Sequence, residues 1–470
     1  MSLPEPAPRR GNARPFVPPL VTALALSAAL ACGGCGLRAL REAPIAAEGG
    51  PSLRILLDSA AEARLTSDGD LIAEDASGGS RTYSSGVLAL PRAGAILLVD
   101  LASGEERPCG AEVLILSAGG SPIRVGKKPY RGSISLAPIG AKSICIVNHV
   151  ATEDYLLGVV PVEIGRLPES DLEAVKAQAV AARTYALSSL GQYPGAGFDL
   201  NSTAQDQVYV GAGNEDSIAT RAVLETAGLV LESRDALARA YYSSTCGGRT
   251  AAVAEVWVKP PASYLRGGAD RSTRRGGGDA FCSASPYFSW KEEWSGSELD
   301  EILARNLPGA VGLEAGAPVG HLTGIKALTR GRSGRVLDLE VQTTVGSWIV
   351  SGDAIRFVLR RPGTSEAILR STLFRVEHVE KRGGRVRQLI LSGRGYGHGV
   401  GMCQTGAIRM AEFGYTFREI LRHYYRGAKV KPFRDVHGIP VAVSTRDVVR
   451  RILVWTSASA AADSVAVARR

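Results

Sequence analysis

Between Leu172 and Leu187 the chain reads LEAVKAQAVAARTYAL. Leu172, Val175, Ala179, Ala182 and Ala186 recur at helical spacing, which predicts a helix with one buried stripe. The stripe is mostly alanine, so neighbouring elements can approach the helix backbone closely. Ser170 and Glu173 have capping-box spacing at its start, and Gly191 is expected to end it. Lys176 and Arg183 lie seven residues apart and share one side at the border of the stripe.

Directly upstream stands one carboxylate, Glu163, with Val160, Pro161, Val162 and Ile164 around it in sequence. Thr152 is placed to cap a short helix from Tyr155 to Val160, which Pro161 should disturb. Burial against apolar groups raises a carboxyl pKa and keeps the acid form at neutrality. Such a group can donate a proton to a leaving oxygen. A turn-borne surface Glu is the plain competing reading. Glu153, Asp154, Glu169, Asp171 and Glu173 are nearby but read more simply as charges at helix starts. Most glycoside hydrolases require a second carboxylate. One acid suffices if the sugar's C6 hydroxyl attacks the anomeric carbon and closes a 1,6-anhydro ring.

Elsewhere the pattern is β. LRILLD, GVLALP, AILLVD, AEVLILS, GSISLAP and SICIVNHV are short apolar runs between Gly, Ser and Pro. Residues 320–395 return to this pattern, with Lys381-Arg-Gly-Gly384 as a hairpin turn. A second hairpin is expected around Ser233-Arg-Asp235, helices over Ser217–Thr226, Cys403–Phe413 and Thr416–Tyr424, and a mobile loop over Arg266–Asp279. With 55 glycines in 470 residues, many turns and short strands are expected rather than a helical bundle. The formal net charge of +9 permits a polyanionic partner, but no helix-turn-helix, zinc-finger or aromatic-basic RNA signature is present. Nucleic acid is therefore not the expected partner.

At the N-terminus Arg9, Arg10 and Arg14 precede an interrupted apolar run, Val17–Ala31, and Ala29-Leu-Ala-Cys32 is similar to a lipoprotein cleavage site. An exported protein is expected, meeting the membrane only through a lipid on Cys32 if that site is used. Among the remaining cysteines, Cys246 with Cys282 is the best candidate bridge, with isolated buried thiols as the alternative.

Two polar segments stand out. Tyr241-Tyr-Ser-Ser-Thr-Cys-Gly-Gly-Arg-Thr250 offers Ser243 and Thr245 to sugar hydroxyls, or hydroxyl caps to a turn. No G-x-S-x-G elbow supports a serine nucleophile. Gly393-Arg-Gly-Tyr-Gly-His-Gly-Val-Gly-Met-Cys-Gln404 contains no register of G-x-G-x-x-G, so no dinucleotide is expected. His398 and Cys403 could form a thiol-imidazole pair or, with His423, ligate a metal; tight packing with a few polar ligand contacts is preferred.

Taken together, YRG (Tyr130 to Gly132), VNHVATEDYLLGVVPVEI, EAVKAQAVAARTYAL, STAQDQVY, YYSSTCGG, LRSTLF (Leu369 to Phe374) and GRGYGHGVGMCQTGA resemble the stage II sporulation protein D family, which includes the amidase enhancers. They stand in family order over roughly residues 125–430. The resemblance implies a lytic transglycosylase acting on peptidoglycan glycan strands that lack stem peptides, with the catalytic Glu at Glu163. It implies 1,6-anhydromuramyl products. A bare strand carries free lactyl carboxylates, for which Lys176, Arg183 and Arg394 are candidate contacts. Gln207, Tyr209, Ser243, Thr245, His398 and Gln404 complete the expected substrate-binding set. Some members of the family carry zinc; the residues around Cys246 show no matching His and Cys set, so neither metal nor cofactor is expected.

The expected fold class is α+β, a β-rich scaffold with a few packed helices around a glycan-binding groove. The expected organisation is a signal peptide over 1–35, a linker over 36–50, an N-terminal β-rich region over 51–124, a catalytic domain over 125–430 with a β-rich insertion at about 320–395, and a weakly ordered tail over 431–470. A non-catalytic glycan-binding protein that stimulates a cell-wall amidase is the alternative function.

Overall fold

The computed structural model describes residues 51–272, 278–364 and 367–436. The signal peptide, the linker and the ILVW stretch of the tail lie outside the described residues. The fold is α+β, as expected. Its first sheet has seven strands, in the order Leu200–Asn201, Ser52–Ala60, Ser143–Ala151, Ser133–Ile139, Val113–Ser117, Leu71–Asp75 and Ser80–Tyr83. A second, six-stranded sheet runs from Lys128–Tyr130 through Ile123–Val125, Ala63–Thr66, Val87–Arg92 and Ala95–Asp100 to Glu106–Pro108. Alternation decides which face is buried: Leu53 and Ile55 point inward from the first strand and pack in one core with Leu65, Val87, Ala89 and Ile115. The same core continues into the helices, so no core boundary falls near residue 125. Gly132 is required where the chain turns into Ser133–Ile139: its φ is +79°, and a Cβ there would stand 2.0 Å from the His149 carbonyl oxygen.

Seven α-helices occur among the described residues: α1 (Thr152–Glu163), α2 (Leu172–Ser188), α3 (Ser217–Glu225), α4 (Gly296–Ala310), α5 (Ala354–Val358), α6 (Gln404–Glu412) and α7 (Phe417–Tyr424). The alanine-rich α2 is central and packs against α1, α3, α6 and α7. Ala174, Ala177, Ala179, Ala181, Ala182 and Ala186 are all fully buried. Each buried methyl stabilises by only about 0.8 kcal/mol, so the helix is held by many close dispersion contacts rather than by large side chains.

Several local expectations are corrected. Thr152 is the first residue of α1, and its hydroxyl donates to the Pro51 carbonyl instead of capping. Pro161 does not stop α1, which runs on to Glu163. A short 3-10 turn, Glu169–Asp171, leads into α2, and Ser170 donates to Asp171 rather than making a capping box. The capping box is instead at α7, where Thr416 and Glu419 bond reciprocally. Arg266–Ala269, expected as loop, pairs with Arg249–Ala252. Lys429–Pro432, at the border of the expected tail, pairs with Leu229–Glu232. The hairpin around Ser233 forms as expected, with Arg234 and Asp235 both at positive φ.

A second core is built by residues between Trp290 and Leu391. Trp290–Ser295, Arg385–Gly393 and Phe374–Arg382 form one three-stranded sheet, Leu322–Arg330, Val336–Thr343 and Ser347–Ser351 another, and α4 covers them with Leu299, Leu303 and Leu307. The β insertion thus starts before residue 320. Its fully buried Arg335 reaches the first body, donating to the carbonyls of Cys246 (3.1 Å) and Arg249 (3.2 Å). No helix among the described residues is long and apolar enough to cross a membrane.

Candidate active site

Glu163 closes α1 and is half-buried. Three distant segments meet it. The chain after Leu200–Asn201 brings the Val208 N–H, which donates to Glu163 Oε1 at 2.7 Å. The parallel pairing of Tyr242–Ser243 with Met402–Cys403 places Tyr242 on one side and sets Gln404 at the start of α6. Gln404 Nε2 donates to the Glu163 backbone carbonyl at 2.9 Å and to Gln178 Oε1 at 3.3 Å. This pairing depends on Gly401, whose φ is +75° and whose Cβ would fall 1.9 Å from the Tyr241 carbonyl oxygen.

Burial pushes the Glu163 carboxyl up to about 7, with the Val208 hydrogen bond opposing it. Among the described residues no cation pairs with this carboxylate. Behind it lies a buried amide and phenol network: Tyr155 Oη donates to Gln207 Oε1 (3.2 Å), and Gln207 Nε2 donates to Tyr242 Oη (2.8 Å). Burial first, and the Glu163 charge second, hold both phenols well above the ordinary tyrosine range. They stay neutral. Gln207 is therefore a positioning residue and is not exposed to a ligand.

The other expected contacts separate. Arg183 is fully buried and bonds bidentately to Glu153 through Nε (2.8 Å) and Nη2 (2.6 Å), and it also donates to the carbonyls of Val223 and Leu229. Lys176 pairs with Glu173 (2.8 Å) and Glu225 (2.7 Å). Both were expected to touch substrate; the structure uses them to tie α2 to α1 and α3. Tyr209 is also buried, donating to Asn148 Oδ1 at 2.9 Å and lying between the rings of Tyr130 and Tyr155. Ser243 accepts from the Gly399 N–H, and Thr245 joins a hydroxyl cluster with Ser285 and Thr405. These two hold the glycine-rich loop in place.

His398 accepts from the Val400 N–H through Nδ1 and packs on Trp257; burial lowers it to about 4, so the ring is neutral. Cys403 is fully buried and its Sγ accepts from the Cys246 N–H, so it forms no thiolate-imidazole pair with His398. Arg394 is exposed, its guanidinium over the Phe288 ring.

Sequence reading missed two residues. Asp206 accepts from Tyr185, Gln192, Tyr193 and Asn201, and so fixes the segment that carries Val208; its signal was only its place inside STAQDQVY. Arg166, three positions beyond Glu163, is exposed and makes no ion pair among the described residues. Cys246, Asp270, Cys282 and Cys403, far apart in sequence, gather in one buried cluster.

Comparison with known proteins shows what the chain is similar to. Residues 140–232, which hold α1, α2 and the Val208 segment, match the family model described as stage II sporulation protein, and residues 275–401 match a domain of unknown function (DUF8618). An uncharacterized protein of Brachyspira hyodysenteriae is 31% identical over 66% of this chain and 74% of its own. The amidase enhancer of Bacillus subtilis is 30% identical over 59% of this chain, though the match spans only 40% of that longer protein. Stage II sporulation protein D of Bacillus subtilis is 24% identical over 71% of this chain and 90% of its own. The chain belongs to the stage II sporulation protein D and amidase-enhancer family.

Proposed function

We propose that the protein is an exported, non-hydrolytic cleaver of peptidoglycan glycan strands that lack stem peptides, with Glu163 as its general acid and base. The observation that carries this reading is a half-buried carboxyl raised to about 7, held by one backbone N–H and facing no cation among the described residues. With Oε1 accepting from Val208, the proton resides on Oε2. Glu163 gives that proton to the glycosidic oxygen as the bond to the anomeric carbon breaks. The muramic C6 hydroxyl then attacks that carbon, and its proton returns to Glu163. A 1,6-anhydro ring forms and no water is consumed. General acid catalysis of this kind contributes about 10²- to 10⁴-fold.

Lactyl carboxylates of a bare strand need exposed cations. Arg166 and Arg394 meet that requirement, and Lys176 and Arg183 do not. The name of the Bacillus subtilis amidase enhancer favours a second reading, in which the protein holds glycan and stimulates a cell-wall amidase.

The two readings differ in their response to pH. The acid form of Glu163 dominates below about 7 and is lost above it. Cleavage rate is therefore expected to fall about tenfold per pH unit above that value. A rate measured on amidase-stripped sacculi that stays level from pH 6 to pH 9 would remove Glu163 from the acid role.

A further inference from the structure

We infer that Cys246, Asp270, Cys282 and Cys403 form a structural site for a zinc-type divalent cation, which clips together the segments that position the Glu163 site. The four ligand atoms lie within 4.8 Å of one another and all four residues are buried. Cys246 Sγ is 3.5 Å from Cys282 Sγ and 3.1 Å from Asp270 Oδ2. A tetrahedral zinc with bonds of about 2.3 Å to sulfur sets its sulfurs about 3.8 Å apart, close to the spacing already present. Three thiolates and one carboxylate are soft and anionic enough for zinc and leave no open position, as structural sites require.

The surroundings also fit a metal. Asp270 is fully buried, with the His423 ring Nε2 at 3.5 Å. Buried carboxylates are paired or bind metal. Tyr424 Oη donates to Asp270 Oδ1 at 2.7 Å, which turns Oδ2 toward the sulfurs. The Cys246 N–H points at Cys403 Sγ at 3.2 Å, the kind of outer contact that steadies a thiolate ligand. A bridge between Cys246 and Cys282, the pairing expected from sequence, would use half of the set and leave Asp270 and Cys403 buried beside it. All three sulfurs are free thiols.

The position suggests the role. Cys246 follows the strand Tyr242–Ser243, Asp270 follows Arg266–Ala269, Cys282 lies in the short turn Phe281–Ala284, and Cys403 precedes Gln404. Gln404 is the residue whose amide holds the Glu163 carbonyl. The metal would fix that residue without touching the substrate.

The test is metal analysis of the full chain purified under reducing conditions. About one zinc per chain is expected by mass spectrometry of the elements. Adding Co(II) to chelator-stripped protein should give a thiolate-to-cobalt charge-transfer band. Cys282→Ser and Cys403→Ser should lose both signals; Cys145→Ser, a buried thiol in a different cluster, should keep them. Glu163→Gln should also keep them, which separates this inference from the proposed reaction. Folded wild-type chain with no zinc and no cobalt band, or with Cys246 bonded to Cys282 by peptide mass, would overturn it. The wild-type readouts stand even if a cysteine variant fails to fold.

Discussion

Glu163→Gln is expected to lower glycan cleavage by about 10²- to 10⁴-fold while strand binding is kept. The substitution preserves size, and the amide oxygen can still accept from the Val208 N–H. Gln404 bonds to the backbone carbonyl of residue 163, so that contact is untouched. What is lost is the acidic proton. The same variant should be more stable than the wild type in alkali. The folded carboxyl titrates near 7, against an ordinary 4.5, so folding favours its protonated form. That contribution is complete below pH 4.5 and is lost as pH rises through 7. The variant has no such loss, so its advantage grows between those values and levels off above them. It should reach about 1 to 3 kcal/mol, the lower part of the range reflecting the exposed portion of the carboxyl. Thermal transitions at pH 4.5 and pH 8 measure it: equal at the first, higher for the variant at the second. Retained cleavage in the variant would assign the acid elsewhere.

Arg183→Met is expected to destabilise the chain by about 3–5 kcal/mol, because it takes the guanidinium away from the Glu153 carboxylate, which keeps only the Gly228 N–H, and from two carbonyls. Arg183 is fully buried, and its guanidinium joins Glu153 in the first turn of α1 to the Val223 carbonyl at the end of α3. Helix ends carry backbone groups with no partner inside the helix, and this side chain satisfies them. Lysine would keep the charge and lose the fork. Removing Glu153 together with Arg183, as Glu153→Gln with Arg183→Met, should cost less than the two single changes added. Denaturant titration of the four proteins measures this. Wild-type stability in Arg183→Met with weakened glycan binding would return Arg183 to a ligand role.

The contrast between Arg183 and Glu163 shows how far sequence alone reaches. Glu163 stands among apolar neighbours in the chain, and its pKa follows from burial that extends the same trend. For Arg183 the helical spacing gave the correct side of α2 but could not show that α1 and α3 cover that side. The hairpin at Gly383-Gly384 was legible because glycine readily takes positive φ, and the one at Arg234-Asp235 because a polar break separates two apolar runs. The start of α2 was misread because Ser170 and Glu173 have capping-box spacing, yet a 3-10 turn intervenes. The thiol cluster was legible only in part: Cys246 and Cys282, the pair expected from sequence, do lie 3.5 Å apart, but Cys403 and Asp270 were not expected beside them. Cys246 and Cys403 stand 157 residues apart and are brought together by the parallel pairing of two short strands. No local motif records such a meeting. The start of the second β unit at Trp290 was missed because its first strand, Trp290–Ser295, is a single alternating run whose partner comes much later, at Arg385–Gly393.

The most direct test of the central claim is the mass of the new chain ends made from amidase-stripped glycan in ¹⁸O-labelled water. One carboxyl acting with the sugar's own C6 hydroxyl predicts muramic ends lighter by one water than reducing ends, carrying no ¹⁸O, and absent with Glu163→Gln. Reducing ends that carry ¹⁸O, or no new ends at all from the wild type, would contradict it.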